Sequence, residues 1–431
     1  MKCRVFLLYP QCYIWKMNAS RKPDRISALA PFGVRSYRFQ WPADLLISCA
    51  IEMELPILGW YILVQTNSVF MLVLFGSAQY IGTLISPLMG VVGDRMGCRN
   101  LLFAMRACYT VLSVLILLLS IFGLLDAYVV LAISALGGIL RPSDGMVRNT
   151  LIAQTVPHHH LMVAIGVSRI TQDISRVMGA LIGTGLVTWA GMERTYQLIS
   201  ALYLFGMVMT LGAKQIKTVA KITRSPFRDT VDGLMHVWNN PTLLAAFWIA
   251  FIVNLTAYPF TLGLLPHVTR DVYGIGQEGL GFLVASFSFG GFLGSLVLSF
   301  SGHLVQAGRA MIFGGIGWYV LLLLFGQTDH LSSGILFLVL AGFAQNICTI
   351  PMFVMMLKVA PEEFRGRVMG VRMLAIYGLP LGLMLAGPLI EHFGFLVTNL
   401  IMTTSGLVML ALVSILWSRQ IWERGAEANR L

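Results

Sequence analysis

The sequence predicts an all-α polytopic membrane protein of twelve transmembrane helices arranged in two six-helix bundles. Three observations lead there. Hydrophobic residues make up 57% of the 431-residue chain and charged residues only 11%, against roughly 25% charged in soluble globular proteins; too few ionisable side chains exist to cover a soluble surface of this size. The apolar residues fall into recurring blocks close to the ~20 residues that a helix needs to cross a bilayer. The halves also repeat: an offset of 204 residues brings Pro157 onto Pro361, Gly166 onto Gly370, Val167 onto Val371 and Gly183 onto Gly387. In both places a loop proline precedes a long helix with spaced glycines.

In chain order, residues 1–40 form a basic tail carrying Lys2, Arg4, Lys16, Arg21, Lys22, Arg25, Arg35 and Arg38. The apolar patch at Val5–Tyr9 is too short to span, and no signal peptide stands out. The tail is expected to have no specific role, with Met17 as an alternative first residue. Spans follow at 41–64, 68–92, 101–122, 127–148, 161–189 and 194–212. After a basic linker at 213–241 come 242–266, 279–299, 310–327, 331–356, 366–389 and 395–416, and residues 417–431 form a C-terminal tail. These runs are too long for barrel strands, and a helix is the open element that satisfies its own backbone in lipid. With the N-terminus inside, inner segments hold 22 Lys and Arg and the outer loops only Arg194 and Arg270. That bias puts both termini and the linker in the cytoplasm, in a multi-pass protein of the cell membrane, expected to be a bacterial inner membrane.

The most specific local pattern lies in the short loop after the second span, where Gly90, Gly93, Asp94, Arg95, Gly97 and Arg99 fall within ten residues. Its glycines allow a tight turn. Asp94 can pair with an arginine or a helix N-terminus, a contact that forms in one state of a cavity and breaks in another. Downstream, Arg141, Pro142, Ser143, Asp144 and Gly145 sit in the fourth span, Gly179, Ala180 and Gly183 in the fifth, and Pro361 to Gly370 ahead of the eleventh.

The loop between the second and third of twelve spans resembles the signature of the major facilitator superfamily, with Gly90, Asp94, Arg95, Gly97 and Arg99 matching and Cys98 at a place that is often basic. The resemblance covers about residues 41–416. It implies two bundles around a central cavity and a gating role for the five loop residues. Arg141 falls on the family's cavity-facing arginine, which is linked to proton coupling. Exporters of the family usually carry Gly-Pro-x-x-Gly in the fifth span; here Ala180 replaces the proline. Pro361, Glu362, Glu363, Arg365, Gly366, Arg367 and Gly370, with Gly387 and Pro388, resemble the branch that contains enterobactin, drug and macrolide exporters.

Charges inside spans are expensive and call for a partner or a function. Glu52 and Glu54 lie near the middle of the first span. Two positions apart, they point about 200° away from each other, so one is expected to face the cavity and the other a basic or polar neighbour. A carboxyl in such a place can exchange a proton at working pH. Arg141, Asp144 and Arg148 follow helical spacing along one face, as do Arg169, Asp173 and Arg176; the two ladders are expected to pair with each other. Glu52, Glu54, Arg141, Asp173 and Arg176 are the candidate proton-coupling residues, while Asp44 is expected at the interface. Asn254, Tyr258, Gln345, Asn346 and Tyr377 are candidate cavity residues of the second half, whose only candidate for a buried charge within a span is Arg372.

Other classes find little support. The net charge of +11 is spread over inter-span segments, an orientation signal and not a nucleic-acid stripe. Six cysteines lack metal-like spacing, and the tract His158, His159, His160 has no carboxylate beside it, so no metal and no cofactor are expected. No phosphate-cradling loop and no catalytic triad are evident; the protein is not read as an enzyme. A proton-coupled secondary transporter exporting an amphipathic or drug-like small molecule, working as a monomer in the bilayer, is the leading expectation. An importer of a small polar solute is the rival, and a non-transporting sensor with the same fold a third reading.

Overall fold

The computed structural model describes residues 30–83, 85, 89, 92–93, 95–214, 226–301, 306–361 and 364–422, which contain helices and no strands. Gly90 and Asp94 of the loop pattern, most of the tails, and residues 215–225 of the linker lie outside the described residues. The helices of the first half are α1 (Arg35–Thr66), α2 (Val69–Ala78), α3 (Cys98–Ile121), α4 (Ala127–Thr155) and α5 (His158–Thr210). The second half contains α6 (Pro226–Asn239), α7 (Pro241–Thr256), α8 (Gln277–Ser301), α9 (Ala307–Phe325), α10 (Leu331–Val359), α11 (Arg365–Ala375) and α12 (Gly378–Leu416). By length and apolar content, seven described helices can cross a membrane, or eight if the 106° bend between Asp232–Asn239 and Pro241–Thr256 joins one pair. Twelve crossings remain the expectation from hydropathy.

Two of the long helices are hairpins. At 53 residues, α5 would extend about 80 Å if straight, far beyond a bilayer core of ~30 Å. It breaks at Gly191, whose φ of 81° only glycine adopts comfortably. Gly183 before the break packs on Met53 and Tyr203 after it bonds Glu54, so both arms lie against the same stretch of α1. In α12 the break is Gly394, with φ 76°; Gly382 and Gly406 on its two arms meet Leu255 and Thr256 of α7. These glycines are 203 residues apart, within one residue of the internal repeat. The repeat extends to α4 and α10, both 29 residues long and offset by 204 from Ala127 to Leu331.

Two elements depart from plain spans. After α2 the chain tightens into a 3₁₀ turn at Ile81–Thr83, where Gly82 and Gly138 bring two backbones into contact. A Cβ on Gly82 would strike the Ile139 carbonyl, and one on Gly138 the Ala78 carbonyl. Beyond α7, π-helical turns at Pro259–Gly263 and Val268–Val272 prolong the seventh span past its expected end at 266. Pro259 and Pro266 lack the amide donors that a regular ladder needs, and π turns recur at functional sites.

The linker helix α6 docks on the second half. His236 stacks on Phe364 at 4.5 Å between ring centroids, and Asp232 lies 3.7 Å from Arg367. The buried apolar side chains form two main clusters, one drawn from Ile47 to Tyr203 and a larger one drawn almost wholly from Val237 to Ile421.

Candidate functional site

The first half is built around the charges of α1, which lies between α4 and the two arms of α5. Glu54 is held by two donors. Arg141 Nη2 donates to Glu54 Oε2 at 2.5 Å, and Tyr203 Oη donates to the same oxygen at 2.8 Å. Arg141 Nη1 donates in turn to Gln79 Oε1 at 2.5 Å, from the place where α2 gives way to the 3₁₀ turn. A cavity of about 10 Å³, the size of one water molecule, is lined by Glu54, Tyr109, Ser134 and Arg141. Tyr109 Oη, Ser134 Oγ and Arg141 Nε have no partner among the described residues.

Glu52 turns the other way. Arg176 Nε of α5 donates to Glu52 Oε1 at 3.3 Å, and this pair is the more open: the side chains are 37% and 22% exposed, against 12% and 6% for Arg141 and Glu54. The ~200° between the two glutamates thus sends each to a different arginine. The two arginine ladders do not pair with each other as expected, because α1 stands between them. Each makes one ion pair along its own helix, Arg148 with Asp144 at 2.6 Å and Arg169 with Asp173 at 3.7 Å, and each offers a remaining arginine to α1.

A deeper cluster escaped the sequence reading. Asp44 is buried, 3% exposed. It pairs with Arg106 of α3, which is fully buried and also donates to Thr210 Oγ1 at 2.5 Å. Arg148 lies 3.8 Å from Asp44 and donates to Ser48 Oγ at 3.2 Å. The signal was present: an arginine within an apolar third span is itself a reason to look for a carboxylate.

In the second half, Tyr258 opens the π-helical stretch. Its hydroxyl accepts from Gln345 Nε2 at 2.8 Å, and its ring meets Trp318 edge-on at 4.8 Å. The seam between the halves runs beside Tyr377. Tyr377 Oη donates across that seam to the Ile81 carbonyl at 3.2 Å. The amides of Asn254 and Asn346 are engaged in packing, with Asn254 Nδ2 donating to the Ala250 carbonyl at 2.8 Å and Asn346 Nδ2 to that of Gly291 at 2.5 Å. Of the loop residues, Gly97 precedes α3 with φ 86°, Arg95 is exposed, and Arg99 Nη1 reaches the Ala213 carbonyl at 3.5 Å, tying the start of α3 to the end of α5.

The halves also touch on the face away from the chain ends. Arg270 Nη1 donates to the Leu63 carbonyl at 2.6 Å and to Asn67 Oδ1 at 3.1 Å, at the C-terminal end of α1. Nearby, Gly281 of α8 packs against Ala180 and Thr184 of α5, and Ser77 Oγ donates to the Pro380 carbonyl at 3.3 Å. Arg270 is the charged clasp of this face. Arg270→Gln is expected to speed thiol labelling of a cysteine placed at Asn67 several-fold, measured against the same cysteine with Arg270 intact. An unchanged rate would make the clasp ornamental.

The sequence matches the family described as Major Facilitator Superfamily over residues 43–383. A curated relative, the uncharacterized MFS-type transporter y4rN of Sinorhizobium fredii, is 27% identical over 353 residues, covering 78% of this chain and 83% of its own. The enterobactin exporter EntS of Escherichia coli is 23% identical over 305 residues, 69% of this chain and 70% of its own. Among solved structures, the nucleoside transporter NupG superposes with a TM-score of 0.72 at 14% identity, covering 90% of this chain and 99% of that one.

Proposed function

Since this chain belongs to the Major Facilitator Superfamily and is a multi-pass membrane transporter rather than an enzyme, we propose that it is a proton-coupled exporter of amphipathic small molecules. It works by alternating access between two six-helix bundles, as a monomer with both termini in the cytoplasm of a bacterial inner membrane. One observation carries the coupling: the Glu52–Arg176 pair is the more exposed of the two glutamate–arginine pairs, so its carboxyl can trade its arginine for a proton as the halves move. Glu54, Arg141 and Asp173 complete the proposed coupling set, Tyr258, Gln345 and Tyr377 line the proposed cavity, and Asn254 and Asn346 hold its wall. Gly90, Asp94, Arg95, Gly97 and Arg99 act as the gate. The export direction is supported by the likeness to the enterobactin exporter.

The membrane potential supplies about 2.3 kcal/mol per charge per 100 mV, enough to drive such an exchange. Ala180, at the place where exporters usually carry proline, favours import of a small polar solute as the second reading. Reconstitution in liposomes with an imposed pH gradient and a panel of aromatic drug-like compounds and sugars separates the two, when compound and internal pH are followed together. Opposed fluxes of compound and protons support export. Parallel fluxes select the importer, and compound movement without proton flux removes the coupling.

A further inference from the structure

The small cavity beside Glu54 is a polar chamber between α3 and α4 whose walls are unevenly satisfied. Ser134, Gly137 and Arg141 line it from α4 at helical spacing, Tyr109 and Leu112 line it from α3, and Glu54 of α1 closes the side. Tyr109 is 3% and Ser134 4% exposed. Tyr109 Oη, Ser134 Oγ and Arg141 Nε are nevertheless without a partner among the described residues. Hydroxyls within helices commonly bond back to the carbonyl four residues earlier, as Thr110 does to Arg106 and Thr184 to Ala180. Ser134 forgoes that bond. Buried polar groups in native proteins are nearly always paired, with protein or with ordered water, and a lipid surround offers no other partner.

The volume of the chamber, about 10 Å³, is the room that one water needs and too little for a larger ligand. Charge narrows the choice further. The Arg141 guanidinium opposes a cation, and the Glu54 carboxylate on the same wall opposes an anion. A neutral group that both accepts and donates fits. The Arg141 N–H can only donate, whereas each hydroxyl can do either. Water accepts from Arg141 Nε and from one hydroxyl and donates to the other, within the two to four bonds that a buried water makes. Arg141 would then be held at all three nitrogens, since Nη1 already donates to Gln79 and Nη2 to Glu54, each at 2.5 Å.

We propose that the chamber between α3 and α4 is a binding site for one water, which bridges Tyr109, Ser134 and Arg141 and fixes the guanidinium against Glu54. The site stands whatever the cargo, direction or coupling of transport.

Gly137 supplies the test. A Cβ there would lie 3.9 Å from Arg141 Nε and 4.0 Å from Leu112 Cδ1, so Gly137→Ala places a methyl in the chamber without a clash. Alanine in place of glycine inside a helix is ordinarily stabilising, and filling a dry void adds to that. Displacing a water on which three buried polar atoms depend costs more than both gains. The thermal midpoint of the full chain carrying Gly137→Ala is therefore expected to fall several degrees below the parent in the same detergent. A midpoint that rises or stays level overturns the site. Radiolytic hydroxyl-radical footprinting reads the water in the unaltered chain, because a bound water ionised in place oxidises the side chain beside it. Tyr319 is the reference, fully buried in the second half with its hydroxyl bonded to Thr256. Tyr109 should be oxidised several-fold faster than Tyr319, and Gly137→Ala should bring it down to the Tyr319 rate. Equal rates in the parent overturn the proposal with no variant needed, and so does a Tyr109 rate that Gly137→Ala leaves unchanged.

Discussion

Arg106→Met is expected to destabilise the folded protein by about 3–5 kcal/mol, the range for leaving one member of a buried ion pair alone. Arg106 has no exposed surface and supports Asp44 and Thr210 together. Arg148 cannot replace it, since its stronger bond goes to Asp144 at 2.6 Å while Asp44 lies 3.8 Å away. Without Arg106, two carboxylates would share one guanidinium out of reach of bulk water. Methionine fills the volume of the stem, so the loss reads the charge and not a cavity. Arg106→Lys should recover only part, because a single ammonium cannot hold the two positions that the guanidinium fork holds. Adding Asp44→Asn to Arg106→Met should recover more than the sum of the single effects allows, by about 0.5–3 kcal/mol, as interacting residues do. Thermal midpoints of the parent, the three single variants and the double variant, purified in one detergent, decide it. A single variant as stable as the parent would mean that the cluster is hydrated and pays no penalty for its charges.

The helical membrane fold was legible because lipid imposes it. Scarce charge and long apolar blocks leave few other solutions, and a hydrophobic run survives in the sequence whatever its neighbours are. The fold-back at Gly191 and its counterpart at Gly394 fell at gaps between apolar blocks for the same reason. The breaks within spans were not legible. The helix after Val69 yields to a 3₁₀ turn because Gly82 and Gly138 press two backbones together, and neither glycine alone announces the other. The seventh span outruns its hydropathy because π turns carry it past Pro266 to Val272.

For the site, helical geometry predicted that Glu52 and Glu54 would diverge but could not say toward which arginine. That depends on α1 lying between α4 and α5, a tertiary fact. The same fact explains why the two arginine ladders, alike in spacing, reach for α1 and not for each other. That Asp44 is enclosed by protein depends on Arg106 of α3 and Arg148 of α4 reaching it, contacts that spacing along α1 does not show.

Glu52→Gln is expected to abolish proton-driven transport while leaving a folded protein, whereas Glu54→Gln should lose stability first. The two glutamates differ in what surrounds them. Glu54 accepts from both Arg141 and Tyr203 at one oxygen, with its side chain 6% exposed. A glutamine there keeps size and hydrogen-bonding capacity but leaves the Arg141 charge buried and unmatched, a loss of several kcal/mol. Replacing the pair together, Glu54→Leu with Arg141→Met, should restore much of the folded yield, since apolar isosteres of a buried pair are often neutral or better. Glu52 holds only Arg176, at 3.3 Å, in a pair open enough that water can solvate either partner when it separates. Glutamine at 52 therefore costs little in folding, and what it removes is the ability to carry a proton between the two openings. Compound-driven proton flux in liposomes should fall to background in Glu52→Gln, with compound exchange in the absence of a gradient retained. Wild-type coupling in that variant would remove Glu52 from the mechanism. The next group to test would then be Asp173, whose ion pair with Arg169 is long, at 3.7 Å, and more than half exposed on the arginine side.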